Sequence, residues 1–119
     1  MDVTVIEQAP DGVGVVTLRG QLDIDTAPDL SAGLDQLLRQ PVPRIVVHLG
    51  ELTFCDSIGL SALAMASNQC ARAGGFLRLS APSPFLMRVL SMVELTPTLP
   101  VYASVAGACA DDPAQLITR

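Results

Sequence analysis

Apolar and polar positions follow two rhythms along this chain, and each change of rhythm marks an element. Val3 to Glu7 reads as a short strand, and Pro10-Asp11-Gly12 is a turn signal leading into Val13 to Arg19. There Val13, Val15 and Thr17 alternate loosely with Val16 and Leu18, which predicts a strand hairpinned to the first. Gly20 to Asp25 reads as a loop. The period then turns helical, with Ala27, Leu30, Leu34, Leu37 and Leu38 on one stripe. Thr26 suits the N-cap, Pro28 the first turn, and Asp29 the capping-box position, where Asp stands in for Glu. Gly33 weakens this helix by up to ~1 kcal/mol relative to Ala. Pro41 and Pro43 stop it. Arg44 to Leu49 is strongly β, and Ile45-Val46-Val47 predicts burial on both faces, as in a central parallel strand.

After a short loop the helical period returns from about Ser57 to Ala73 and closes at Gly74-Gly75. The alanines at 62, 64, 66, 71 and 73 let this helix lie close to a sheet. Leu60, Leu63, Ser67 and Cys70 make its buried stripe; Ser57, Ser61, Met65, Asn68 and Arg72 form a more polar face. Phe76 to Ser80 is a further strand. Ser83-Pro84 opens a third helix, with Phe85, Leu86, Val89, Leu90 and Val93 expected inward. Pro100 to Ala103 reads as a last short strand. Val105 to Ala110 has helical character weakened by Gly107 and by Asp111-Asp112-Pro113. Strands alternating with helices imply an α/β sandwich with a mostly parallel sheet, whose working loops follow the strand C-termini. Asp23 and Asp56-Ser57 both follow such ends and are expected to converge.

Composition narrows the function. The 119 residues suffice for one domain with a real core, and half of them are apolar. With four aromatics, Phe54, Phe76, Phe85 and Tyr102, that core must be aliphatic. The net charge of −5 disfavours nucleic acid, which needs a basic stripe. All seven basic residues are Arg, so a P-loop Lys and a Schiff-base Lys are excluded. No signal peptide pattern occurs, and no apolar run approaches the ~20 residues that span a bilayer. The expectation is a cytoplasmic protein without membrane insertion. Cys55, Cys70 and Cys109 lack CxxC spacing and read as reduced packing residues.

Candidate chemistry is sparse. A Ser-His-Asp triad would need the single His, His48, with Ser57 and Asp23 or Asp56, and no Gly-x-Ser-x-Gly elbow supports it. Asp23, Asp25 and Asp56 would suit Mg²⁺, but acids at strand ends are common loop residues. No GxGxxG or Walker motif occurs, so no nucleotide cofactor is expected. Taken alone, Asp56-Ser57 is a helix cap. A cap hydroxyl at a helix N-terminus also tolerates phosphate, because unpaired N–H groups and the dipole face it.

Two motifs add a resemblance. Asp56-Ser57-Ile58-Gly59-Leu60 resembles the Asp-Ser-Ser/Thr-Gly-Leu motif of the STAS domain family, the bacterial anti-sigma factor antagonists. Upstream, Gly20-Gln21-Leu22-Asp23-Ile24-Asp25-Thr26-Ala27 resembles that family's Gly-x-Leu-Asp-x-x-Thr-Ala signature, in the expected order and spacing. Two positions depart from the pattern: Ile58 replaces the second Ser or Thr, and His48 replaces an acidic or amide strand-end residue. The resemblance implies one STAS-like α/β domain over residues 1–119, with a loose tail from about 111. It implies a mixed, mostly parallel sheet of four to five strands and about four helices packed mainly on one side. It makes Ser57 the residue phosphorylated by a partner, an ATP-using anti-sigma serine kinase, with a serine phosphatase as the resetting partner. Asp23, Asp56, Ser57, Ile58, Ser61 and Met65 are then the partner-binding residues, with no catalytic residue, metal or cofactor. The alternative within the same fold is a structural subunit of a transporter ATPase complex.

Overall fold

The computed structural model describes residues 2–8, 12–92 and 99–118. Pro10, Asp11 and Val93 of the sequence reading lie outside them, as do the side chains of Val89 and Leu90. The chain starts with β1 (Asp2–Gln8), which pairs antiparallel with β2 (Val13–Leu22), the expected hairpin. Helix α1 (Ala27–Leu38) crosses to β3 (Arg44–Cys55), and α2 (Ser57–Arg72) crosses to β4 (Phe76–Ser80). Helix α3 (Pro84–Met92) leads to β5 (Val101–Tyr102); then come α4 (Val105–Ala110), a 3-10 turn (Pro113–Gln115) and β6 (Leu116–Thr118). The sheet order is β1-β2-β3-β4-β5-β6, with β2 to β5 parallel and the outer strands antiparallel.

That order explains where the helices lie. Four successive parallel strands, β2 to β5, step in one direction, and right-handed crossovers then put the three connecting helices on one face. Leu30, Leu34 and Leu37 of α1, Leu60, Leu63 and Cys70 of α2, and Leu86 of α3 share one core with Val16, Leu18, Ile45, Val47, Leu77 and Leu79. The opposite face carries Val13, Val46 and Tyr102 against Ala108 of α4. The aliphatic run Ile45-Val46-Val47 is buried on both faces, as its lack of alternation predicts. Helix α4 is tied down at its C-terminus. Arg78 donates to the Ala108 carbonyl at 2.9 Å, lies 3.6 Å from the centre of the Phe76 ring, and faces the Asp111 carboxylate that accepts from the Tyr102 hydroxyl. Gly33, costly to a helix by itself, is where Val3 meets α1; a Cβ there would stand 2.5 Å from Val3 Cγ1.

Several expectations are corrected. The sheet has six strands, because Leu116–Thr118 adds an edge to β5 where a loose tail was expected. Phe85 is exposed rather than inward. Thr26 occupies the N-cap position of α1 without a capping bond, so the expected capping box with Asp29 does not form. The largest difference concerns β2 and β3. Gly20 does not start a loop, and β3 does not stop at Leu49: the two strands pair on to Leu22 and Cys55. The β3–β4 ladder ends at His48–Ser80, where Ala81 turns left-handed (φ 52°) and Pro82 lacks an N–H. Strands β2 and β3 therefore continue past β4 as a two-stranded ribbon, kinked by register shifts at Thr17/Arg19 and Gly20/Gln21.

Candidate functional site

The tip of this ribbon gathers the predicted residues. Leu22 and Cys55 are paired, and the Asp56 N–H donates to the Leu22 carbonyl at 3.2 Å, so the loops bearing Asp23 and Asp56 leave the sheet side by side. The first loop is a closed box. Thr26 Oγ1 accepts from the Asp23 N–H at 2.9 Å and donates to the Gln21 carbonyl at 2.8 Å. Asp23 Oδ1 accepts from the N–H groups of Asp25 (3.0 Å) and Thr26 (3.1 Å), and the Asp23 carbonyl accepts from Ala27 (2.8 Å). Thr26 misses the cap role because its hydroxyl is spent on this box. Asp23, read as a partner contact, is thus also the residue that shapes its own loop.

The second loop is a helix start. Asp56 is the N-cap of α2 and its Oδ1 accepts the Gly59 N–H at 2.8 Å. Ser57 is then the first helical residue and is exposed. Its hydroxyl makes no hydrogen bond among the described residues. The N–H groups of Ser57 and Ile58 have no intrahelical acceptor at this position. A hydroxyl there is open to solvent, unencumbered, and beside free donors. Gly59 is needed for the turn to fit: a Cβ would stand 2.7 Å from Leu22 Cγ and 2.8 Å from the Leu22 carbonyl oxygen.

On α2 the outward face carries Ile58, Ser61 and Met65, with Ile58 45% and Met65 71% exposed. Packing leaves Ile58 and Met65 in solvent, since Leu60, Leu63, Ala64 and Ser67 take the inner face. A groove of about 560 Å³ runs beside Met65, between α1 and α2, floored by Leu30, Leu34, Ala62 and Ala66. Two apolar residues that the sequence reading passed over join the tip, Ile24 at 63% and Phe54 at 39% exposure. Ile24 had a signal, an apolar residue interrupting an Asp-rich loop; Phe54, two residues after the buried Leu52, had none, because the register shift opposite Gly20/Gln21 breaks the alternation there.

The other candidates separate from the tip. His48 is not at a strand end: it lies inside β3, its ring folds over Gly50, and its buried Nδ1 has no hydrogen-bond partner among the described residues. At ~3.3 Å per strand residue, His48 to Cys55 spans roughly 20 Å. His48 therefore cannot act on Ser57. Among the described residues no three His, Cys, Asp or Glu side chains are placed to hold a metal ion. Cys55 is buried, donates weakly to the Asp56 carbonyl, and has its thiol pKa pushed up to about 12 by burial and, less, by Asp56. A neutral, enclosed thiol packs and does not react. No helix among the described residues is long and apolar enough to cross a membrane.

Known proteins resemble this chain in sequence and in fold. A family model described as Mlab, STAS domain, matches residues 5–100. The anti-sigma F factor antagonist of Paenibacillus polymyxa is 30% identical over 98 residues, which is 82% of this chain and 84% of that protein. An anti-sigma factor antagonist structure from Mycobacterium paratuberculosis superposes with a TM-score of 0.78 at 27% identity, covering 92% of this chain and 93% of the other. A Thermotoga maritima structure shares the fold with a TM-score of 0.82 at 22% identity over 92% of each chain.

Proposed function

This chain belongs to the STAS domain family, and from that premise we propose that it is an anti-sigma factor antagonist whose switch is Ser57. In its unmodified form it binds an anti-sigma serine kinase through the ribbon tip and the outer face of α2, releasing the sigma factor. The kinase transfers the γ-phosphoryl group of ATP to Ser57 Oγ, ADP leaves, and the modified protein no longer binds. A serine phosphatase restores it. The chain is a substrate and a binding partner, working in the cytoplasm, with no turnover of its own.

One observation carries the reading: the Ser57 hydroxyl is exposed at the first position of α2, while the neighbouring Asp56 performs the capping. If Ser57 were the cap, modification would cost the helix its start. Here the two roles sit on separate residues. The relative at 30% identity supports this reading over a transporter-ATPase subunit.

The test is phosphorylation with an anti-sigma serine kinase and ATP, mapped by mass spectrometry. Wild type should gain one phosphate, on Ser57, and Ser57→Ala none. Ser57→Ala should still be retained by the kinase and Ser57→Asp should not. Labelling on another residue, or equal labelling of Ser57→Ala, rules the assignment out.

A further inference from the structure

The tip carries exposed apolar residues and acids together. Ile24, Phe54 and Ile58 come from three segments, the β2–α1 loop, the end of β3 and the first turn of α2, which the Leu22–Cys55 pairing holds at one end of the domain. All three are exposed large apolar side chains. Asp23, Asp25 and Asp56 stand among them. The Arg of the adjoining ribbon, Arg19, is occupied by Glu51 and Asp2. Nothing basic on that ribbon offsets the acids.

Scattered exposed apolar residues are ordinary, but this group differs in how it is held. Ile24 sits in a loop whose neighbours Gln21, Asp23, Asp25, Thr26 and Ala27 are hydrogen-bonded to one another. Phe54 is fixed by strand pairing opposite Gln21. The backbone under both residues is therefore fixed before binding, which lowers the ordering cost of using their apolar side chains as central contacts. Soluble domains do not favour presenting such residues rigidly among like charges without a complement.

We propose that Ile24 and Phe54 are the specificity-determining anchors of this surface, and that the partner offers an apolar pocket rimmed by Arg or Lys. The acids steer and orient the encounter, and the two apolar side chains supply the slow dissociation. This rests on the antagonist reading above, since the kinase is the occupant. It assigns to Ile24 and Phe54 a part that Ser57 chemistry does not require.

The experiment titrates the full chain against the anti-sigma serine kinase, with Ile24→Ser, Phe54→Ser, Asp25→Asn and, as a distant apolar control, Ile117→Ser of β6. Thermal melts accompany each variant. Ile24→Ser and Phe54→Ser should each weaken binding by about tenfold or more with melting unchanged for Ile24→Ser, as central interface residues do. Ile117→Ser should bind within about twofold of wild type. Wild-type affinity should fall between about 50 and 300 mM salt, and Asp25→Asn should flatten that fall. Wild-type binding with Ser57 phosphorylation, but with Ile24→Ser and Phe54→Ser within about twofold of it, overturns the anchors and leaves the antagonist reading intact. Salt-independent wild-type binding overturns the basic rim. A wild type that neither binds nor is phosphorylated removes both.

Discussion

At the scale of single residues, Asp23 carries two jobs that one substitution can separate. Its Oδ1 closes the β2–α1 loop through two backbone N–H groups, and its charge sits at the tip proposed to bind the partner. Asp23→Ala loses both and should cost ~1 kcal/mol of stability, the usual worth of such capping bonds. Asp23→Asn keeps an acceptor oxygen, so its melt should stay near wild type while kinase affinity falls. A melt for Asp23→Asn as low as for Asp23→Ala would mean the charge itself holds the loop. Cys55 makes a second case. Burial raises its pKa from 9.0 to about 12, and that of Cys70 to about 11. The folded state holds these protons more tightly than the unfolded chain. Their stabilising effect is therefore complete below the ordinary thiol pKa and is lost as pH rises from about 9 toward 12. Denaturant midpoints measured across that range should fall for wild type and fall less for Cys55→Ala. In native protein at neutral pH, a thiol reagent should modify Cys109 well before Cys55 or Cys70, whose relative exposures are 3% and 0%.

At the scale of the element, α2 joins a core face and a solvent-exposed face through its first turn. Asp56→Ala removes the cap and should cost ~1 kcal/mol. Gly59→Ala improves helix propensity by up to ~1 kcal/mol, yet the new methyl would collide with Leu22. The collision wins, because overpacking against backbone costs ~1–3 kcal/mol. A net loss of stability for Gly59→Ala, seen in chemical denaturation, is the expected outcome; a gain would show that the Leu22 loop yields. Met65→Ala should leave stability within ~0.5 kcal/mol, since the side chain is 71% exposed, but weaken kinase binding by ~1–2 kcal/mol. A collapse of the melt with Met65→Ala would make it a structural residue.

At the scale of the molecule, phosphorylation of Ser57 should change affinity and leave the fold alone. Phosphoserine adds about −1.5 to −2 charges. The helix N-terminus returns ~0.3–1 kcal/mol. Asp56 and Asp23 oppose it: at ~6 Å in water-like dielectric each unit pair repels by ~0.7 kcal/mol, before screening. The balance, within ~2–3 kcal/mol, lies well below the ~5–15 kcal/mol of a typical domain. The same charge carried into an apolar interface meets a much larger desolvation cost. Circular dichroism and melting of the phosphorylated protein should match the unmodified form, while titration with the kinase shows the loss. Unfolding on phosphorylation, or unchanged affinity, would end this account.

Local chemistry by itself determined most of the elements and the start of α2 at the tip. Helical spacing placed α1 and α2, because one face of each must leave water, and Ile45-Val46-Val47 announced a strand buried on both sides. Asp56-Ser57-Ile58-Gly59-Leu60 was legible as a helix start because caps and glycines act within one turn. What depended on distant residues was not legible. Gly20 and Gly50 read as chain breaks, and only pairing of β2 with β3 turns them into a kinked ribbon. A strand's end is set by its neighbour as much as by itself, and here the turn at Ala81-Pro82, just after β4, decides where the β3–β4 ladder stops. Thr26 looked like a cap until the Gln21 carbonyl and Asp23 competed for its hydroxyl. The last strand, Leu116–Thr118, is three residues long, too short to show a period, and exists because the edge of β5 needs hydrogen bonds. Exposure of Ile24, Phe54, Ile58 and Met65 was likewise a tertiary outcome: an apolar residue is buried only if something packs over it, and the other helix faces had already filled that space.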